Sequence, residues 1–182
     1  MSGKETLVER WILHRFNEAA AAANEALEAR EFHLATGVIY KYWIYQLCDV
    51  YIVLPPPPAA YSLTLILRVK ENSKPLMRDG TPEQKKSAQN TLYTALEGGL
   101  KLLHPFMPFV TEELWQRLPR RSGDKTPSVM LASYPVYEAE YDNAEDAAEY
   151  EKIIAVVKTA RSLLENYEIK TDARGYTLYF QS

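Results

Sequence analysis

Two prolines three residues apart, Pro105 and Pro108 in HPFMPFVTEELWQRL (104–118), constrain this chain more than any other feature. Proline has no amide hydrogen and holds φ near helical values, so it breaks a helix interior but fits a first turn. One helix must therefore end near His104 and another begin at Pro108, with the chain turning between them. Beyond the turn Val110, Leu114 and Leu118 recur at helical spacing with Trp115 beside them, while Thr111, Glu112, Glu113, Gln116 and Arg117 fill the other side. The pattern predicts a short amphipathic helix with the Val110–Leu114–Leu118 stripe turned to the core.

The flanking sequence supplies the helices this corner joins. Residues 5–28 read as a long helix with Leu7, Trp11, Leu27 and the alanines at 19–23 on its apolar stripe; His14, Arg15, Asn17 and Glu18 read as a solvated face. Phe32, Ala35, Ile39, Trp43 and Val50 mark a second helix, with Tyr40, Tyr42 and Tyr45 widening its apolar surface. So short a connection predicts antiparallel packing of the two. Thr81-Pro82-Glu83-Gln84 is a capping box with proline at the first helical position, and it opens a third helix with Ala88, Leu92, Leu96 and Leu103 inside. Its Gly98-Gly99 pair costs about 1 kcal/mol per glycine in propensity and points to close approach of another backbone. Asp142 or Asn143 caps a last long helix running to Tyr167, with Tyr150, Ile153, Ile154, Val157 and Leu164 on its apolar face.

The prediction is an all-α fold, an antiparallel bundle of four to five helices. A short extended piece at 128–134 and a strand-like tail with Tyr176, Leu178 and Phe180 alternating complete it. Residues 1–134 form the bundle, and 135–182 hold the last helix and the start of a following region. Residues 53–70, VLPPPPAAYSLTLILRVK, break the pattern as an insertion, because four consecutive prolines prefer an extended segment.

With 182 residues and 47% apolar content the chain can bury a core. A net charge of −3 argues against a globally basic nucleic-acid binder, yet leaves room for a local basic face. The single cysteine, Cys48, allows no internal disulfide and reads as a buried thiol of an intracellular protein. No apolar run approaches the ~20 residues that a membrane span needs, so a soluble chain without membrane contact is expected.

Catalytic signatures are missing. His14, His33 and His104 lie in separate segments without the convergent ligand set that zinc requires, so no metal site is expected. The glycine pair has no following Lys-Ser/Thr for a phosphate loop. Glu112 and Glu113 diverge on a helix and do not form a facing acid/base pair. No catalytic residue is assigned, and the residues alone suit a binding module.

The ordered set WILHRFNEA (11–19), YKYWIYQLCDVYI (40–52), LLHPFMPFVTEELWQRLPRR (102–121), VMLASYPVY (129–137) and KTARSLLENYEI (158–169) resembles the anticodon-binding helical domain of valyl-tRNA synthetases, the eukaryotic cytosolic form most. The resemblance implies a module that binds the anticodon stem-loop of valine tRNA. It also implies a catalytic domain elsewhere in a cytoplasmic parent, or in a mitochondrial form of it. The family's nucleotide-binding signatures are absent, so ATP belongs to that other part, no cofactor is expected here and this chain should be inactive alone. DNA is not an expected partner.

An anticodon presents splayed bases for aromatic stacking and phosphates for cations. The first helix offers Arg10 and Arg15, and Phe32 opens the second. Arg15 and Phe32 are the leading RNA-contact residues, on the expectation that a helical hairpin brings them together. Arg117, Arg120 and Arg121 are further candidates for phosphate contact. The alternatives are a helical protein–protein interaction module without RNA binding, or an inert fragment. In family-like sequence DVYI runs almost directly into the stretch seen here as Glu71-Asn72-Ser73-Lys74. The 18 intervening residues, 54 nucleotides beginning in a valine codon (GT) and ending in a lysine codon that reads AAG in one form, fit a translated, retained intron. The final LYFQS resembles the end of a tobacco-etch-virus protease site, with a shortened native strand as the alternative.

Overall fold

The computed structural model describes residues 5–52 and 81–166, without the side chains of 160, 161, 164 and 165. The insertion at 53–70, the polar linker at 71–80, the C-terminal tail and the placement of Leu164 lie outside the described residues.

Five helices follow in order: α1 Leu7–Glu28, α2 Phe32–Tyr40, which continues as a π-helical stretch over Lys41–Ile52, α3 Pro82–Leu103, α4 Pro108–Arg117 and α5 Ala144–Asn166. No strand occurs among the described residues. The bundle is built on α1, which touches α2, α3 and α5. Alanine makes this possible: Ala19, Ala20 and Ala23 are buried and let neighbours approach a slim helix. At its start Glu9 is 1% exposed, accepting from the Thr6 amide at 2.6 Å and the Ser87 hydroxyl at 3.1 Å. Ser87 beside Glu9 and Gly98 beside Phe16 show that α3 runs in the same direction as α1. Phe16 against Tyr42, ring centroids 5.8 Å apart, fixes α2 antiparallel to both.

The expected cap at Thr81 forms, with its hydroxyl accepting from Gln84 N and the Gln84 side chain accepting from Thr81 N at 3.0 Å. The approach at the glycine pair is made by aromatic rings rather than by backbone. A Cβ at Gly98 would run into Phe16, and one at Gly99 would lie 2.9 Å from Trp43. Trp43 Nε1 then donates to Gly99 O at 3.1 Å and Tyr42 Oη to Ala95 O at 2.9 Å, bonds that need a close helix surface. The i→i+5 winding after Tyr40 keeps Tyr42 and Leu47, both fully buried, on one side.

Three local expectations are corrected. The polar residues of α1 are not a solvated face, since His14 and Asn17 are buried and only Glu18 of that set is exposed. Helix α5 and the loop before it cover them: Asn17 bonds Glu138 through both its amide atoms, and His14 Nδ1 accepts from Asn143 N at 3.1 Å. Helix α4 is rotated from its expected phase. Thr111 and Trp115 are 0% and 1% exposed, whereas Val110 and Leu114 are exposed. Trp115 gains more from burial than valine or leucine, and Thr111 carries no penalty because its hydroxyl donates to Met107 O at 2.8 Å and meets His104 Nδ1 at 2.7 Å. The piece at 128–134 holds a 3₁₀ turn, Val129–Leu131, capped by Ser128; a second such turn spans Ala139–Tyr141.

Candidate nucleic-acid interface

The turn between α1 and α2 forms one end of the bundle. Glu31 N donates to Ala26 O at 2.8 Å and Arg30 N to Leu27 O at 3.1 Å, the paired closure that ends a helix with one residue in the left-handed conformation. That residue is Arg30, at φ 61°, and no other non-glycine residue among those described has positive φ. Glycine ordinarily fills the position, and an L side chain there costs about 1–2 kcal/mol.

Immediately after the turn Phe32 is 59% exposed. Along the outer side of α2 and its π-helical continuation Leu34, Tyr40 and Tyr45 are exposed too, and the last two rings meet edge to face at 5.8 Å. Gly37, between them, has open space where a side chain would be. This face presents aromatic surface to solvent, which base stacking needs and a sealed core does not.

The arginines divide sharply. Arg15 lies in the α1–α5 seam, its guanidinium shared by Glu18 and Glu151. It does not meet Phe32: α1 runs thirteen residues beyond Arg15, roughly 20 Å at 1.5 Å per residue, before the turn begins. A hairpin brings the start of its second helix to the end of the first, so the expected juxtaposition fails. Arg117 is exposed on α4 and paired with Glu113. Arg120 stacks on Trp115 at 4.6 Å, with Lys101 at 5.5 Å from the same ring. Arg121 stacks on Tyr93 at 4.6 Å, donates to Thr94 Oγ1 and pairs with Glu97 at 3.3 Å. Arg120 and Arg121 thus share a place beside α3, next to an open cleft of about 330 Å³ lined by Phe16, Gly98, Arg121, Tyr134 and Tyr141.

Other titratable groups serve the packing. Glu112 accepts from Gln116, Ser128 and Val129 N, and these bonds, Gln116 first, hold its carboxyl below the usual range. Burial pushes up the phenols of Tyr42 and Tyr51, with Glu9 adding to Tyr51. Cys48 is partly buried and its thiol is raised, by desolvation and then by Asp49, which disfavours the nucleophilic thiolate. No group of three acidic, histidine or cysteine side chains suited to a metal occurs among the described residues. No described helix is long and apolar enough to cross a membrane.

The left-handed conformation of Arg30 has only a faint signal in the sequence: a non-glycine at the end of an alanine-rich helix, followed closely by an aromatic.

The family model for the anticodon-binding domain of tRNA ligases matches residues 9–62 and 63–178. The chain belongs to that family. It is 48% identical to the valine–tRNA ligase of Schizosaccharomyces pombe, covering 97% of this chain and 16% of the relative. It is 47% identical to the mitochondrial valine–tRNA ligase of Saccharomyces cerevisiae, with 97% and 14% covered. Against the human valine–tRNA ligase it is 38% identical, with 92% and 12% covered. The chain therefore spans about a sixth or less of the length of these relatives.

Proposed function

We propose that the chain binds the anticodon stem-loop of valine tRNA through the α1–α2 end of the bundle, on behalf of a valine–tRNA ligase. The observation that carries the reading is Phe32, a large aromatic left 59% exposed at the rim of a bundle of this family. Stacking on such a ring contributes about 1–3 kcal/mol per base. Arg117, with its side chain exposed though paired with Glu113, is the best placed of the three arginines on and just after α4 to reach backbone phosphate; Arg120 and Arg121 would first have to leave their aromatic partners. ATP-dependent aminoacylation belongs to the remainder of the polypeptide, and the cytoplasm is the proposed compartment, to be checked by locating the tagged protein because one relative is named as mitochondrial.

A gel shift with valine and isoleucine tRNAs tests the reading. Preferential, salt-sensitive retardation of valine tRNA is expected, and equal or absent retardation contradicts it.

The exposed side of α4 favours a second contact. Phe109 is 91% exposed, and Met107, Val110 and Leu114 are exposed with it. We propose that the remaining polypeptide of the parent, its catalytic part included, packs here. The retained-intron reading of 53–70 remains a proposal as well, with a native insertion as the alternative; the family match breaks between 62 and 63, inside that segment, as an insertion of either origin would make it. Transcript sequencing tests it, since a message population that mostly carries the segment would rule it out.

A further inference from the structure

Every other arginine whose side chain is described is engaged: Arg10 with Asp146, Arg15 with Glu18 and Glu151, Arg117 with Glu113, Arg120 with Asp124 and Trp115, Arg121 with Glu97 and Tyr93. The Arg30 side chain has no hydrogen bond, ion pair or ring contact among the described residues, its backbone N–H alone being bonded, to Leu27 O. Glu28, two residues before it, and Glu31, the residue after it, are exposed, yet neither pairs with it. It also occupies the left-handed position of the turn, where glycine would relieve the strain at no loss of packing. A strained, exposed and unpartnered guanidinium two residues from an exposed ring has no structural task in the bundle.

We propose that Arg30 is a phosphate-binding residue for single-stranded RNA. The left-handed turn holds its guanidinium at the bundle end, where it hydrogen-bonds the backbone phosphate next to the base stacked on Phe32. Planar, multiply donating guanidinium suits a phosphate well. The inference rests on the reading of this end as the anticodon-loop site. Arg30 is the one cation in the stretch from Glu28 to Phe32, so a single phosphate contact is expected.

The test is a salt series of valine tRNA titrations on the full-length protein, wild type against Arg30→Gly and Arg30→Lys, with thermal melts of each. Arg30→Gly is expected to keep or raise Tm, because glycine suits the turn, while weakening affinity severalfold. The slope of log affinity on log salt should fall by about 0.7, one single-strand phosphate. Arg30→Lys should retain most of that slope. Wild-type binding with unchanged affinity and slope in Arg30→Gly overturns the role of Arg30 alone. Weakened affinity with an unchanged slope overturns the phosphate assignment. Absence of wild-type binding removes the RNA reading and this inference with it.

Discussion

The α1–α5 seam and the α1–α2 turn differ in one respect: in the seam the arginine side chains have partners, and at the turn the Arg30 side chain has none among the described residues. Along the seam Arg10, His14, Arg15 and Asn17 meet Asp146, Asn143, Glu151 and Glu138, with Trp11 on Tyr150 at 5.3 Å below them. At the turn Arg30 and Phe32 face solvent. Partnership, rather than residue type, separates side chains that hold the fold from those available to a ligand. Arg15 and Arg30 carry the same charge on neighbouring stretches of chain and stand on opposite sides of that line.

The comparison breaks first at Tyr150. Tyr150→Ala removes a fully buried ring from the seam, for which about 3–5 kcal/mol is expected. That corresponds to a fall in Tm of roughly 6–20 °C. A melt within 2 °C of wild type, on the order of less than 1 kcal/mol, would mean that the seam contributes little. Asn17→Ala leaves the Glu138 amide and carbonyl without their buried partner and should cost about 2 kcal/mol. Arg15→Ala should cost no more than about 1 kcal/mol, because its carboxylate partners are half exposed. Binding data on the same variant sharpen the contrast: a loss of tRNA affinity at unchanged stability would put RNA on the seam.

The smallest effect concerns acid. Glu112 has a carboxyl held below its unfolded value by Gln116, Ser128 and Val129, so the stabilisation is present above the unfolded carboxylate range, about pH 4.3, and is lost as pH falls through the folded value. The Val129 amide resonance should shift on acidification below about pH 4, and Glu112→Gln should abolish that titration.

Much of this fold was legible in the sequence because it depended on local chemistry. The Pro105/Pro108 corner, the Thr81–Gln84 cap and the antiparallel α1–α2 pair follow from proline geometry, capping and a short connection. The phase of α4 was not legible, because burial of Trp115 and the Thr111–His104 bond are tertiary facts that outweigh the Val110–Leu114 stripe. The same holds for α1, whose polar stripe looks solvated until α5 and the loop before it, far along the chain, supply its partners. Phe32 could be named from sequence as a residue that opens a helix. Its distance from Arg15 follows only when the hairpin is laid out with helix rise in hand, and the positive φ of Arg30 has no sequence marker.

The most direct test of an RNA site at the α1–α2 end is a titration of valine tRNA against Phe32→Ala, with its melting curve measured alongside. An exposed ring predicts an unchanged Tm and an affinity loss of about 1–3 kcal/mol, roughly five- to 150-fold. Wild-type affinity in Phe32→Ala would contradict the account and move the RNA to another face.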